Sequence, residues 1–75
     1  MMNDSYQKIL GELRKVFPDV MLLNVKDMAK IMNERPKTIY NKLSKGSFPI
    51  KCFRRGGKPR WLITDVARYY ATEAD

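Results

Sequence analysis

A chain of 75 residues with one cysteine and no histidine leaves few chemistries open. One thiol forms neither an intramolecular disulfide nor a zinc site, and the commonest general base and metal ligand is missing altogether. A formal charge of +7 beside 44% apolar and 11% aromatic residues describes a small folded domain with an electrostatic bias, not a disordered basic tail.

Other absences narrow the function further. No two carboxylates fall at a spacing that suggests acid/base work, and Gly56-Gly57-Lys58 reads as a turn, not a phosphate-cradling loop. The sequence therefore argues against an enzyme and calls for no cofactor. No apolar run approaches the roughly 18 residues of a membrane span. The opening Met-Met-Asn-Asp-Ser lacks the basic and apolar regions of a secretory signal, and a lone Cys52 fits a reducing cytoplasm. The expectation is one cytoplasmic domain over residues 1–75.

Residues 4–17 read as an amphipathic helix. Tyr6, Ile9, Leu10, Leu13, Val16 and Phe17 recur at three- and four-residue steps, opposite Lys8, Glu12, Arg14 and Lys15. Asp4 or Ser5 supplies the cap, and Pro18 ends the segment by driving Phe17 out of the helical region. This apolar stripe either closes the core or forms a dimer face. Residues 20–23 are a short buried run. Asn24 then caps a helix of about eight residues, with Asp27 at its third position and Val25, Met28, Ala29 and Met32 along one face.

Asn33 suits the left-handed conformation that stops a helix, and Pro36 suits the first position of the next one. Two helices joined by so short a turn form a helix-turn-helix pattern. Ile39 and Leu43 of the second helix face the first, which assigns Lys37, Thr38, Asn41, Lys42 and Lys45 to the outward face. Such a stripe of hydroxyl, amide and ammonium groups suits base edges and flanking phosphates in a major groove, and would otherwise be an ordinary solvated face.

Gly46 closes this helix, and Ser47-Phe48-Pro49 returns apolar bulk to the core. Residues 50–53 and 60–63 read as two short strands. The six residues Arg54-Arg55-Gly56-Gly57-Lys58-Pro59 between them form a basic hairpin loop, and Cys52 packs beneath or on it. Thr64 is the expected cap of a last helix carrying Asp65, Val66, Tyr69 and Tyr70, with residues 72–75 fraying.

Charge is concentrated where these elements meet. Residues 35–60 hold nine of the fifteen basic side chains and no acid; the segment before balances to zero and the segment after sums to −2. A block this pure repels itself on folding, and a polyanion is the simplest compensation.

Six pieces in this order resemble the AlpA-like and excisionase-like small DNA-binding proteins of phages and mobile elements, which share the winged helix-turn-helix of MerR-type regulators. Leu22-Leu23-Asn24-Val25-Lys26-Asp27-Met28-Ala29 is similar to the family's opening helix, and Thr38-Ile39-Tyr40 to its recognition-helix core. Gly46-Ser47-Phe48-Pro49 resembles the helix exit, Gly57 with Trp61 the wing, and Asp65-Val66 the start of the last helix. The family usually has Gly at Asn33, an aliphatic residue at Glu34 and a small hydroxyl at Arg35. The N-terminal helix lies outside the resemblance, which covers residues 22–70.

The resemblance implies sequence-specific duplex DNA binding without chemistry, by a transcriptional regulator or a recombination directionality factor. The expected fold is mainly α with a small β-hairpin wing: a winged helix-turn-helix with an extra N-terminal helix. Thr38, Asn41 and Lys42 are expected to read bases, helped by Arg35 and Lys37, with the Tyr40 hydroxyl on the backbone. Lys45, Arg54, Arg55, Lys58 and Arg60 are expected to hold phosphates. A weak homodimer or cooperative assembly on DNA through residues 6–17 is the expected way to read two half-sites, with a recombinase or RNA polymerase as a further partner. The rival class is a small interaction module or inhibitor whose basic face covers an acidic protein. RNA binding is a weaker option, because no stacking aromatics are evident on a sheet.

Overall fold

The computed structural model describes residues 4–74. The chain runs α1 (Asp4–Val16), β1 (Leu22–Leu23), α2 (Val25–Met32), α3 (Pro36–Lys45), β2 (Phe53–Arg55), β3 (Lys58–Leu62) and α4 (Ile63–Ala74). The strands form one antiparallel sheet in the order β1-β3-β2. Among the described residues, then, four helices surround a three-stranded sheet, and no helix is long and apolar enough to cross a membrane.

Local rules set most boundaries. Asn24 caps α2 by accepting from the Asp27 amide at 2.8 Å, and the Asp27 carboxylate accepts from the Asn24 amide at 3.2 Å. This reciprocal box satisfies two helix-end donors at once. Asn33 ends α2 at φ 56°, and the Glu34 amide reaches back to the Ala29 carbonyl at 2.9 Å. Gly46 ends α3 at φ 70° in the same way, with the Ser47 amide on the Lys42 carbonyl at 2.9 Å. Pro36 stands in the first turn of α3, where its missing N–H is harmless.

Several boundaries depart from expectation. Residues 20–23 are not a buried run: only Leu23 is buried and Met21 is 73% exposed, while Leu22 and Leu23 pair with Leu62 and Trp61 as an edge strand. Thr64 does not cap α4, because β3 runs straight into the helix at Ile63; the Ile63 amide is taken instead by the Met21 carbonyl at 2.9 Å. The hairpin loop is two residues, not six. Gly56 and Gly57 both adopt positive φ (60° and 81°), the twist that two-residue hairpins require, so Arg54, Arg55, Lys58 and Pro59 join the strands. Pro59 faces Arg54 of β2 on one side, and on the other β1 reaches only Trp61 and Leu62, so no strand on that second side wants its N–H. At the C-terminus α4 stays helical to Ala74, and Asp75 lies outside the described residues, so the fraying expected of 72–75 is not seen in the described part.

The core centres on Trp61, which is fully buried with Leu23, Met28, Ile39 and Val66. Phe48 packs on the Trp61 ring at 5.2 Å between centroids, and the indole Nε1 donates to the Ile50 carbonyl at 3.1 Å. The segment leaving α3 is thereby fastened to the strand that carries the hairpin. On the far side α1 packs chiefly on α4. Leu13 and Phe17 are buried, Tyr6, Ile9 and Leu10 pack half-buried against the core, and the Arg68 guanidinium sits 5.8 Å from the Tyr6 ring centroid. Of the six residues expected at a dimer face, only Val16 is left mostly exposed, at 53%.

Trp61→Phe keeps the ring but strands the buried Ile50 carbonyl without its donor. We expect a loss of about 1–3 kcal/mol, read from urea unfolding followed by circular dichroism. A loss within error of zero would remove Trp61 from the centre of the fold.

Candidate nucleic-acid interface

The second helix of the pair sets the first part of the surface. Ile39 is buried and Leu43 half-buried. Asn41 lies two residues from each, about 200° round the helix from either, and so points away from the core. The exposed residues of α3 accordingly include Lys37, Tyr40, Asn41, Ser44 and Lys45, and Tyr40 keeps 54% of its surface. The outward stripe is turned from the expected one. Thr38 and Lys42 are both half-buried at its flank, while Ser44, absent from the expected set, stands within it. Projection from the midpoint of Ile39 and Leu43 would have found Ser44 from the sequence.

Lys42 is held back by a specific contact. Its Nζ donates to Glu34 Oε2 at 2.8 Å, a pair with side chains 36% and 28% exposed. Glu34 belongs to the turn between α2 and α3, so this ion pair ties the turn to the third turn of the following helix. The other carboxylate oxygen, Oε1, is buried without a hydrogen-bond partner among the described residues. Nearby Tyr70 has its pKa raised above the ordinary 10.0, first by burial, then by Tyr69 and by the Glu34 carboxylate. Lys42 thus serves as a structural counter-ion before it serves any ligand. Arg35 behaves differently: its carbonyl accepts the first α3 amides, Thr38 at 2.9 Å and Ile39 at 3.2 Å, while its exposed side chain makes no cap bond.

The second part of the surface is the β2–β3 hairpin. Its register sets Phe53 opposite Arg60, Arg54 opposite Pro59, and Arg55 opposite Lys58. Side chains alternate along a strand, so Phe53, Arg55, Lys58 and Arg60 share the outward face, and Pro59 and Trp61 turn to the core. Arg54 falls on the other face and braces the turn, its Nη1 donating to the Gly57 carbonyl at 3.2 Å. Arg60 is half-buried, with Nη1 on the Pro59 carbonyl at 2.8 Å.

Three ion pairs are present among the described residues: Lys15–Glu12, Lys42–Glu34 and Arg68–Asp65. Only Lys42 among the nine cations of residues 35–60 takes part, so the other eight have no carboxylate partner among the described residues. A separate open groove between α1, α2 and α4 is lined by Ile9, Leu13, Ile31 and Tyr70, with Lys8 and Glu12 at its rim. It lies outside the cationic block.

The Glu34–Lys42 pair is partly screened, so its worth stays near the exposed-pair range. A double-mutant cycle of Glu34→Gln and Lys42→Gln on unfolding free energy is expected to give a coupling of about 1 kcal/mol that shrinks with salt. Additive single effects would show that the contact does not organise the turn.

A scan against protein-family models and searches of curated proteins and of solved structures find no match for this chain.

Proposed function

We propose that the chain is a winged helix-turn-helix protein that binds duplex DNA. In this reading α2 and α3 are the helical pair, α3 lies in the major groove, and the β2–β3 hairpin is the wing on the backbone or minor groove. The observation that carries it is the set of eight cations without carboxylate partners among the described residues, gathered on α3, the segment after it and the hairpin. Self-repulsion within such a set is relieved by a polyanion, and release of condensed counterions from DNA drives the association. The exposed Asn41, flanked by Lys37 and Lys45, adds groups able to tell one base edge from another.

The resemblance to AlpA-like and excisionase-like proteins supports a transcriptional regulator or recombination directionality factor of a phage or mobile element, working with RNA polymerase or a recombinase. The longest dimension of the domain is 34 Å, about one turn of duplex, and one helix reads only a few base pairs. Two or more copies on adjacent half-sites would extend the site. Val16 is the large apolar residue of α1 left exposed for self-contact, since Leu13 and Phe17 are committed to the core.

Gel shifts with genomic duplex fragments separate this reading from a basic-faced inhibitor of an acidic protein. Retardation by micromolar protein at low salt is expected, and none would end the DNA reading. Asn41→Ala is expected to relax sequence choice by about 1–3 kcal/mol at one position of the site. Lys45→Ala instead weakens all sequences alike and flattens the salt slope by about one unit. An unchanged ranking of sites in Asn41→Ala would remove α3 from the major groove. Sedimentation of Val16→Asp with and without DNA tests α1 self-association: assembly identical to the parent's puts any interface elsewhere.

A further inference from the structure

The outward face of the hairpin combines two features that are unfavourable in the isolated domain. Arg55 and Lys58 stand directly opposite each other across the strands, both exposed, and neither has a carboxylate partner among the described residues. Like charges in opposed positions destabilise a strand pair. Beside them Phe53, opposite Arg60, leaves 42% of its surface in water. Core packing explains Pro59 and Trp61 on the other face; of these four only Arg60, half-buried on the Pro59 carbonyl, has an internal partner, and packing does not explain Phe53, Arg55 or Lys58. The two features belong to one surface, since the same alternation that buries Trp61 turns Phe53, Arg55, Lys58 and Arg60 together to the outside.

We propose that this four-residue face, and not the Gly56–Gly57 tip alone, docks on duplex DNA, with Phe53 as an apolar contact to the sugars lining the minor groove. This rests on the DNA-binding reading and deepens it. A phosphate between Arg55 and Lys58 turns their repulsion into a shared attraction, and Arg60 extends the cationic track alongside Phe53. A phenyl ring laid on deoxyribose loses water without neutralising a phosphate. The hairpin therefore contributes two separable parts to affinity, one that salt weakens and one that it does not. The occupant follows from charge complementarity: three cations around an apolar ring match alternating phosphates and sugars. Arg54, on the opposite face and engaged with the Gly57 carbonyl, has no part in the contact.

The test is duplex affinity against salt for the full chain and four variants, alongside thermal unfolding of each. Phe53→Thr keeps strand preference and removes the ring; binding is expected to weaken by about tenfold at every salt concentration with the slope unchanged. Arg55→Gln is expected to flatten the slope of log affinity against log salt by about 0.9 while the melting temperature stays level or rises, because the opposed like charges are gone. Arg54→Gln is expected to keep the parent's slope. Phe53→Leu, which remains apolar, guards against a folding defect in Phe53→Thr and is expected to recover most of the affinity. Parent-like affinity in folded Phe53→Thr, or a slope change in Arg54→Gln matching that in Arg55→Gln, overturns the proposed face while leaving DNA binding intact. Absence of duplex binding by the parent overturns the DNA reading itself, and tighter binding of single-stranded RNA than of duplex DNA by the parent reassigns the face to RNA.

Discussion

The burial of one indole holds this small domain together. Trp61 lies on the central strand, pairs with Leu23 of β1, stacks against Phe48 and donates to the Ile50 carbonyl. Three segments distant in sequence therefore meet at one side chain. The one that matters for function is residues 46–52, which leads from α3 to the hairpin. Without an anchor, that segment would let helix and hairpin move independently. With Phe48 and Ile50 fastened to Trp61, the two cationic elements share one rigid support. A 75-residue chain has stability of only about 4–11 kcal/mol to distribute, so one buried contact of this size carries a large part of it.

That support positions charges that do not favour folding. Eight cations lack carboxylate partners among the described residues, Arg55 faces Lys58 across the hairpin, and the acid next to the block, Glu34, takes Lys42 for the turn. The division of labour is clear in chemical terms. Lys42 and Arg54 have intramolecular acceptors and stabilise the scaffold. Lys37, Lys45, Arg55 and Lys58 make no ion pair among the described residues and are exposed. α1 adds apolar cover behind α4 on the far side, which relieves a minimal core of the exposed face it would otherwise present.

The parts of this fold legible in the sequence are those governed by neighbours along the chain. Asn24 with Asp27, Asn33 in the left-handed region, Pro36 at a helix start and Gly46 at its end each obey a rule spanning a few residues, and all four hold. The Gly-Gly turn was visible as a turn, but its length depends on both glycines taking positive φ, which lets the flanking arginines pair across it. β1 was not legible, because two leucines become a strand only when Trp61 and Leu62 arrive beside them. The same limit applies at the candidate interface. Lys42 already lies nearer the Ile39–Leu43 face than the outward centre of the helix, which projection shows, and the contact that Glu34 makes from the turn is what the sequence hides. Phe53 is an apolar strand residue whose face the sequence left open, and its register opposite Arg60 sends it outward.

The proposed DNA-binding surface joins the outward stripe of α3 and the outward face of the hairpin on a Trp61-centred support. Nuclear magnetic resonance titration of the isotopically labelled full chain with a short duplex that it binds tests this most directly. On a duplex that holds one copy, amide shifts are expected to concentrate on Lys37, Asn41, Ser44 and Lys45 and on Phe53, Arg55, Lys58 and Arg60, while α1 and its groove with α2 stay still. Shifts centred on the α1–α2 groove, or on only one of the two cationic elements, would contradict it.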